Sequence, residues 1–343
     1  MRIRTSSSEG RREASGFSLI ELMVALTLGL LILLAMATLL AQQSRTREAL
    51  AQTAGQIENG RYALMLLRDD VQHAGFYGEF GGTLAVPGVL PNPCATTKAA
   101  VQSSLALPIQ GYDAVSVVPA PLSGCLDDAN HIPGTDIVVV RRVQANDTPP
   151  ALGALTAGRV YVQAIPDTLI VDTGTAGTDL TLTKKDAVTP ATIRAYVEHV
   201  YFVSPCNVYA SGQTVCTAAA DGGSPIPTLK RLDIGASGGA AVFTTTPLVE
   251  GIEDMQVDYG LDVDGAGSPS TPFIVAPSLT QWPNVMAVSI TLLARNTAAS
   301  PGYSDGKTYD MGVAGTVGPF NDGFRRHVYA ESVRLINPSS RRE

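Results

Sequence analysis

Residues 22–41, LMVALTLGLLILLAMATLLA, run for twenty positions without a charge. A helix rises about 1.5 Å per residue, so this stretch makes roughly 30 Å, enough to cross the hydrocarbon of a bilayer. Beyond it the pattern becomes one-sided. Leu50, Ile57, Leu64 and Val71 recur every seven residues, Leu67 and Ala74 join three residues later, and Arg61, Arg68, Asp69 and Asp70 fall on other faces. That spacing predicts one apolar stripe on a continuing helix, packed against whatever follows. No proline precedes Pro87. Gly29, Gly55 and Gly60 are soft points, and Gly75, followed by Gly78, Gly81 and Gly82, ends the helix.

From about Phe76 the period changes from helical to alternating. Residues 136–143, 159–163, 179–183, 193–203, 252–261, 285–293 and 327–336 read as strands, rich in Val, Ile, Thr and Tyr and bounded by Gly, Pro, Asn and Asp. The 22 prolines and 33 glycines suit a β-rich head with long loops. The expected fold is α+β: a leader at 1–16, a helix at 17–75 that is transmembrane at about 20–41, and one large β-rich head at 76–343. A division of the head near residue 190 has no clear linker behind it.

The polar segment before the apolar run holds Arg2, Arg4, Arg11 and Arg12 against Glu9 and Glu13. Its positive excess keeps the N-terminus in the cytoplasm and sends the rest outward. A secretory signal would place a small-residue cleavage site after a shorter apolar core, whereas here Ala35 to Ala37 lies inside the run. Glu21 stands out most. A carboxylate carried to the bilayer centre costs about 2.5–3.5 kcal/mol, so an acid at the edge of a spanning helix is a functional candidate. If the chain is cut after Gly16, the new α-amino group of Phe17 is a cation four residues from Glu21. When such helices pack side by side, the carboxylate of one meets the amine of another, and the pair offsets what each isolated charge costs in lipid.

The string Gly16-Phe17-Ser18-Leu19-Ile20-Glu21, with the apolar run behind it, resembles the N-terminal signal of type IV prepilins and type II secretion pseudopilins. The resemblance implies cleavage after Gly16 by a prepilin peptidase, N-methylation of Phe17 and an assembly role for Glu21. The segment Glu58-Asn59-Gly60-Arg61-Tyr62-Ala63, continuing to Ala74-Gly75-Phe76-Tyr77-Gly78, is similar to the minor pilins called PilW. So are the stretch at 248–260, LVEGIEDMQVDYG, and the ending Val333-Arg334-Leu335-Ile336-Asn337. Residues 84–190 carry no such likeness.

Charge and cysteine content narrow the compartment. A formal net charge of −7 argues against a nucleic-acid partner, which needs Lys and Arg to neutralise phosphates. The four cysteines, Cys94, Cys125, Cys206 and Cys216, all follow the apolar run, and none are in CxxC spacing. They are expected to form two disulfides in an oxidising compartment, near neighbours joined as Cys94 with Cys125 and Cys206 with Cys216; two other pairings stay open.

Catalytic constellations fail one by one. Gly235-Ala236-Ser237-Gly238-Gly239 fits GxSxG, but residues 240–246 are strand-like where a nucleophile elbow needs a helix. Residues 302–308, GYSDGKT, have one residue too few between the glycines for a phosphate loop. Asp262-Val263-Asp264-Gly265 alternates carboxylates ahead of a glycine, as calcium loops do, yet Ala266 holds the third ligand position and Phe273 stands where a bidentate Glu belongs. Asp262 and Asp264 remain weak metal candidates, and a solvated turn is the expected state. The four histidines are scattered, with His73 read as a surface or packing residue.

The expectation is therefore a structural subunit with no cofactor and no enzymatic activity. It would be a minor pilin that helps initiate, and caps, a type IV pilus. Its partners would be the prepilin peptidase, other minor pilins and the major pilin, a tip adhesin and the inner-membrane assembly platform. Its place would be the inner membrane, with the head in the periplasm, and then the pilus. The rival readings are a minor pseudopilin of type II secretion, and a head that is itself an adhesin or calcium-binding module.

Overall fold

A computed structural model describes residues 16–145, 150–174 and 179–343. All of the expected leader except Gly16 lies outside the described residues. The first element is the helix α1 (Leu19–Gln72), 54 residues long. The chain forms two compact units that meet in sequence between Ala51 and Gln52, so α1 contributes to both. Within the first unit the apolar side chains from Leu22 to Leu40 stand exposed, and the helix is long and apolar enough to cross a membrane.

The second unit begins with the outer part of α1 and is built mainly of β-strands. A short helix, α2 (Lys98–Ser104), precedes β1 (Ile109–Tyr112), β2 (Ile137–Val143), β3 (Val160–Ala164), β4 (Leu169–Thr173) and β5 (Ile193–Ser204). Next come β6 (Thr228–Ser237), β7 (Ala240–Glu250), β8 (Ile252–Leu261) and β9 (Val285–Arg295). The chain closes with β10 (Tyr309–Asp310), β11 (Thr316–Val317), β12 (Arg326–Arg334) and a short α3 (Ile336–Ser340).

Seven strands form one antiparallel sheet around the long β5. One edge of β5 takes β2, which carries β1 on its far side. The other edge is shared, with Ile193–Ala195 pairing β3 and His199–Ser204 pairing β6. A second sheet has the order β12-β9-β8, and β10 with β11 makes a small hairpin. One apolar cluster joins both sheets to the helix. It contains Ala63, Leu64, Leu67 and Val71 of α1, Val138, Val140, Tyr201 and Val203 of the larger sheet, and Val257, Val288, Leu292 and Val333 of the smaller.

The stripe on α1 departs from the seven-residue reading. Leu64, Leu67, Val71 and Ala74 are buried as expected, but Leu50 and Ile57 are 65% and 40% exposed. A straight helix has 3.6 residues per turn, so a seven-residue repeat drifts by about 20° per heptad, or about 60° over the three heptads from Val71 back to Leu50. The buried line therefore slides to Ala63, Gly60 and Gln56. Gly60 is small for a reason: a Cβ there would run into the Tyr329 ring. Gln56 donates to the carbonyls of Ala294 (2.7 Å) and Arg325 (3.0 Å), and Asn59 to that of Glu250 (3.1 Å). Of the segment at 58–63, Asn59, Gly60 and Ala63 thus hold the helix down while Glu58, Arg61 and Tyr62 stand exposed.

Asp70, expected on another face, is also buried against the head. The strand expected at 179–183 does not form; Thr183 makes only an isolated bridge with Pro190. Six strands lie outside the sequence expectations or are only hinted at there: β1, β4, the two-residue β10 and β11, and the pair β6 and β7. The last two form a hairpin closed by Gly238 and Gly239, both with left-handed φ of +57° and +81°. That turn is what the GxSxG string encodes.

Candidate functional site

The start of α1 is closed by two reciprocal hydrogen bonds. The Glu21 N–H donates to the Ser18 hydroxyl (3.2 Å), and the Ser18 N–H donates to Glu21 Oε2 (2.9 Å). This is a capping box, in which a Ser and an acid three residues later satisfy each other's free backbone donors. The first turn of a helix otherwise leaves such groups without partners, and its positive end favours a carboxylate. Glu21 is thus held at the head of the apolar helix, one turn from Phe17, which is 91% exposed. Downstream, Thr27 and Thr38 turn their hydroxyls onto the carbonyls of Val24 and Ala35, so neither presents an unpaired donor along the apolar stretch.

In the second unit, the polar docking of α1 centres on Asp70. Its carboxylate receives Arg142 Nε (2.7 Å), His199 Nδ1 (2.6 Å) and the Tyr201 hydroxyl (2.9 Å). Burial alone would raise this carboxyl, but the hydrogen bond and charge of His199, with those of Arg142, bring it down to about 2. His199 Nε2 lies 3.4 Å from Asp233, which Arg231 holds in turn. On the neighbouring rung Arg141 and Glu198 form a fully buried pair at 2.6 Å, and the Tyr196 hydroxyl donates to Glu198 at 2.9 Å. The Asp70 bonds fix the helix to the larger sheet, while the Arg141–Glu198 pair ties β2 to β5 within it.

The cysteines pair as Cys94–Cys125 and Cys206–Cys216, across 31 and 10 residues. Asp262 is fully buried and saturated with donors: Oδ1 accepts the N–H groups of Gly265 (2.7 Å) and Ala266 (3.2 Å), while Oδ2 accepts those of Gly267 (3.0 Å) and Arg342 (3.1 Å). Burial opposes its ionisation, and these bonds still hold its carboxyl below the usual range. Asp264 accepts a bond from Ala266 N–H. No oxygen of Asp262 is left for a cation, and this pair is a turn that anchors Arg342. Among the described residues, no group of three or more His, Cys, Asp and Glu converges to hold a metal. His73 sits beside the Asp69 carbonyl at the surface of the helix.

Glu21 is among the sequence candidates and Ser18 is not, although Ser-x-x-Glu before an apolar run is the signature of a capping box. Asp70 is absent from them too, because a helical phase set at Leu50 turns it to another face.

Two family models match the chain. Residues 11–37 match the prokaryotic N-terminal methylation motif, and residues 214–337 match PilW, Type IV Pilus-assembly protein W. The first spans Gly16, Phe17, the capping box and most of the apolar run. The second covers β6 to β12, including the whole smaller sheet. No curated protein and no solved structure matches.

Proposed function

We propose that this PilW-like chain is a minor pilin, cut after Gly16, methylated on Phe17 and incorporated into a type IV pilus through Glu21. The observation that carries the reading is the placing of one carboxylate at the head of an exposed apolar helix, within a matched methylation motif. In lipid that charge needs a counter-ion. The amine released by cleavage is the nearest one the chain can supply, and a neighbouring helix brings it within reach at assembly. The prepilin peptidase, other minor pilins, the major pilin and the assembly platform of the inner membrane are the partners this mechanism requires.

The head is too large to repeat economically along a shaft, and a place at the tip, where it initiates assembly and caps the filament, suits its size. A minor pseudopilin would share the leader and the helix. The PilW likeness over 214–337 favours the pilus.

The test is mass spectrometry of the mature N-terminus together with Glu21→Ala. The expected result is a chain beginning at N-methylated Phe17, and a variant that is processed normally but fails to enter sheared filaments. An intact leader on the mature protein would overturn the processing step. Normal incorporation of Glu21→Ala would overturn the pairing.

A further inference from the structure

Two buried aspartates four residues apart have opposite surroundings. Asp262, just past β8, has both oxygens filled by N–H donors. Asp258, on β8 itself, is 3% exposed; its Oδ2 receives only the Val313 N–H at 3.3 Å, and its Oδ1 has no partner. Two positions earlier on the same face, Gln256 is 4% exposed. It donates to the Gly134 carbonyl (3.0 Å) and Asp254 Oδ1 (2.8 Å), which leaves its own Oε1 without a donor. Buried oxygens of this kind are costly unless a donor or a cation reaches them.

Their neighbours add oxygen. Thr291 is the cross-strand partner of Gln256, is buried, and shares its face of the sheet. The turn at Gly312–Ala314 lies above. A Cβ on Gly312 would sit 2.8 Å from Asp258 Oδ2 and 3.5 Å from Thr291 Oγ1, so both oxygens border the same small space. Asp113, which is exposed, is the charge that acts on Asp258 from the β1 side. The neighbouring charges that weigh most on Asp136, Asp254 and Asp258 are Asp113, Glu253 and Asp254, all acidic.

We propose that Asp258, with the side-chain oxygens of Gln256 and Thr291 under the Gly312 turn, forms a binding site for a hard divalent cation, calcium, to which Asp113 adds long-range negative charge. Oxygen donors of mixed type without His or Cys are what calcium accepts and zinc does not. Irregular placement and a shell completed by water favour calcium over magnesium, which demands a near-ideal octahedron. Only one carboxylate lines the space and a second acts through its charge, so the affinity belongs with extracellular modules, about 10⁻⁴–10⁻³ M. The site lies between β8, β9 and the Gly312 turn, and its occupation would hold that turn onto the smaller sheet.

The experiment is thermal unfolding of the full-length protein in detergent, titrated with calcium chloride and, at matched ionic strength, with magnesium chloride. A ligand that binds only the folded state raises the Tm as its concentration passes Kd. The expected result is a saturating rise with calcium and little with magnesium. Asp113→Asn, at an exposed position, should weaken the apparent calcium affinity about tenfold, Asp258→Asn should abolish the rise, and Asp264→Asn should leave it unchanged. The proposal is overturned if calcium and magnesium act alike on the unaltered protein, which would mean that no calcium-selective site exists. It is equally overturned if the calcium-specific rise survives undiminished in Asp113→Asn, or moves only with Asp264→Asn.

Discussion

Asp70 of α1 and His199 of β5, 129 residues apart in the chain, meet at 2.6 Å between Asp70 Oδ2 and the ring Nδ1. Arg142 and Tyr201 complete a ring of donors around the same carboxylate, and all of them come from the larger sheet. The helix is therefore held to the head by a charge as well as by its apolar face. The contrast with Leu67, three residues away and fully buried in the core, is instructive. Apolar contact is non-directional and sets how much of the helix is covered. The Asp70 bonds have geometry, and they set its rotation and register.

Asp70→Asn tests this. The amide would turn an N–H₂ group toward Arg142, His199 or Tyr201, all of them donors to the present carboxylate. Breaking a buried charged network by removing one partner costs about 3–5 kcal/mol, and the loss should appear as a fall in Tm at pH 7. The acid limb carries a second signature. A carboxyl lowered to about 2 in the folded state contributes stability that is present above its unfolded value and is lost as pH falls through about 2. The variant should therefore show a shallower loss of Tm between about pH 4 and pH 2 than the unaltered chain. An unchanged acid slope would show that Asp70 is not the group responsible.

Asp254 should behave in the opposite sense. Burial raises its carboxyl to about 6, with Glu253 adding like charge. A folded value above the unfolded one means that the native state holds the proton longer, so this group's ionisation destabilises the head as pH rises through about 6. Asp136, buried and raised to about 7, extends the same effect to neutral pH. Asp254→Asn keeps an oxygen for the Gln256 amide and never ionises. Its Tm should exceed that of the unaltered chain by a few degrees at pH 8 and match it at about pH 3.5, below the unfolded value, with calcium chelated at both. A gain of equal size at the two pH values would rule out ionisation as the cause.

Arg326 organises the loop ahead of β12. Its side chain is 1% exposed and grips Glu253 through Nε (2.5 Å) and one terminal nitrogen (3.1 Å). It grips Asp322 through both terminal nitrogens at 2.7 Å, and one of these also meets Asp305 at 3.0 Å. The guanidinium lies 3.8 Å from the centre of the Phe320 ring. Only a planar fork can serve two carboxylates in paired fashion and stack at once. Arg326→Lys keeps the charge and loses that geometry. It should cost about 2–4 kcal/mol and open the chain between residues 300 and 322 to limited proteolysis, while Arg325→Lys, at an exposed neighbouring position, should do neither. Equal protease resistance in the two variants would remove Arg326 from this role.

Legibility from sequence followed the range of the forces involved. The apolar run at 22–41 and the Gly16-Phe17…Glu21 string are local, and the methylation-motif match at 11–37 covers both. The resemblances noted at 248–260 and 333–337 fall inside the PilW match at 214–337, whereas the one at 58–63 lies outside it. The strands β2, β5, β8 and β9 were legible because their β-branched residues make long apolar or alternating runs. The hairpin β6–β7 was not, since Gly, Ala and Thr at 235–246 are as common in loops, and only cross-strand pairing with β5 decides the matter. Asp70 was misplaced because a seven-residue template loses phase on a straight helix. Asp258 and Asp262 are indistinguishable as residue types, and what separates them is the set of donors that the fold brings from Gly265, Gly267 and Arg342.

Ser18 offers the last prediction, and it bears on how a charged helix end waits in a membrane before assembly. In the single chain Glu21 Oε2 takes the Ser18 N–H, while the Ser18 hydroxyl takes the Glu21 N–H. Ser18→Ala deletes the hydroxyl and keeps the backbone donor, so it removes half of the box. A lost cap of this kind costs about 1 kcal/mol, or roughly a fivefold rise in the opening of the first turn. Hydrogen exchange at the amides of residues 20–22, measured on the full chain in micelles, should quicken by about that factor. Ser18→Asp, which restores an acceptor at the cap, should bring protection back even though it adds a charge. Exchange rates identical in Ser18→Ala and the unaltered chain would mean that the helix end is held by something other than this pair. Glu21 would then be free to seek its counter-ion without first giving up a bond within its own helix.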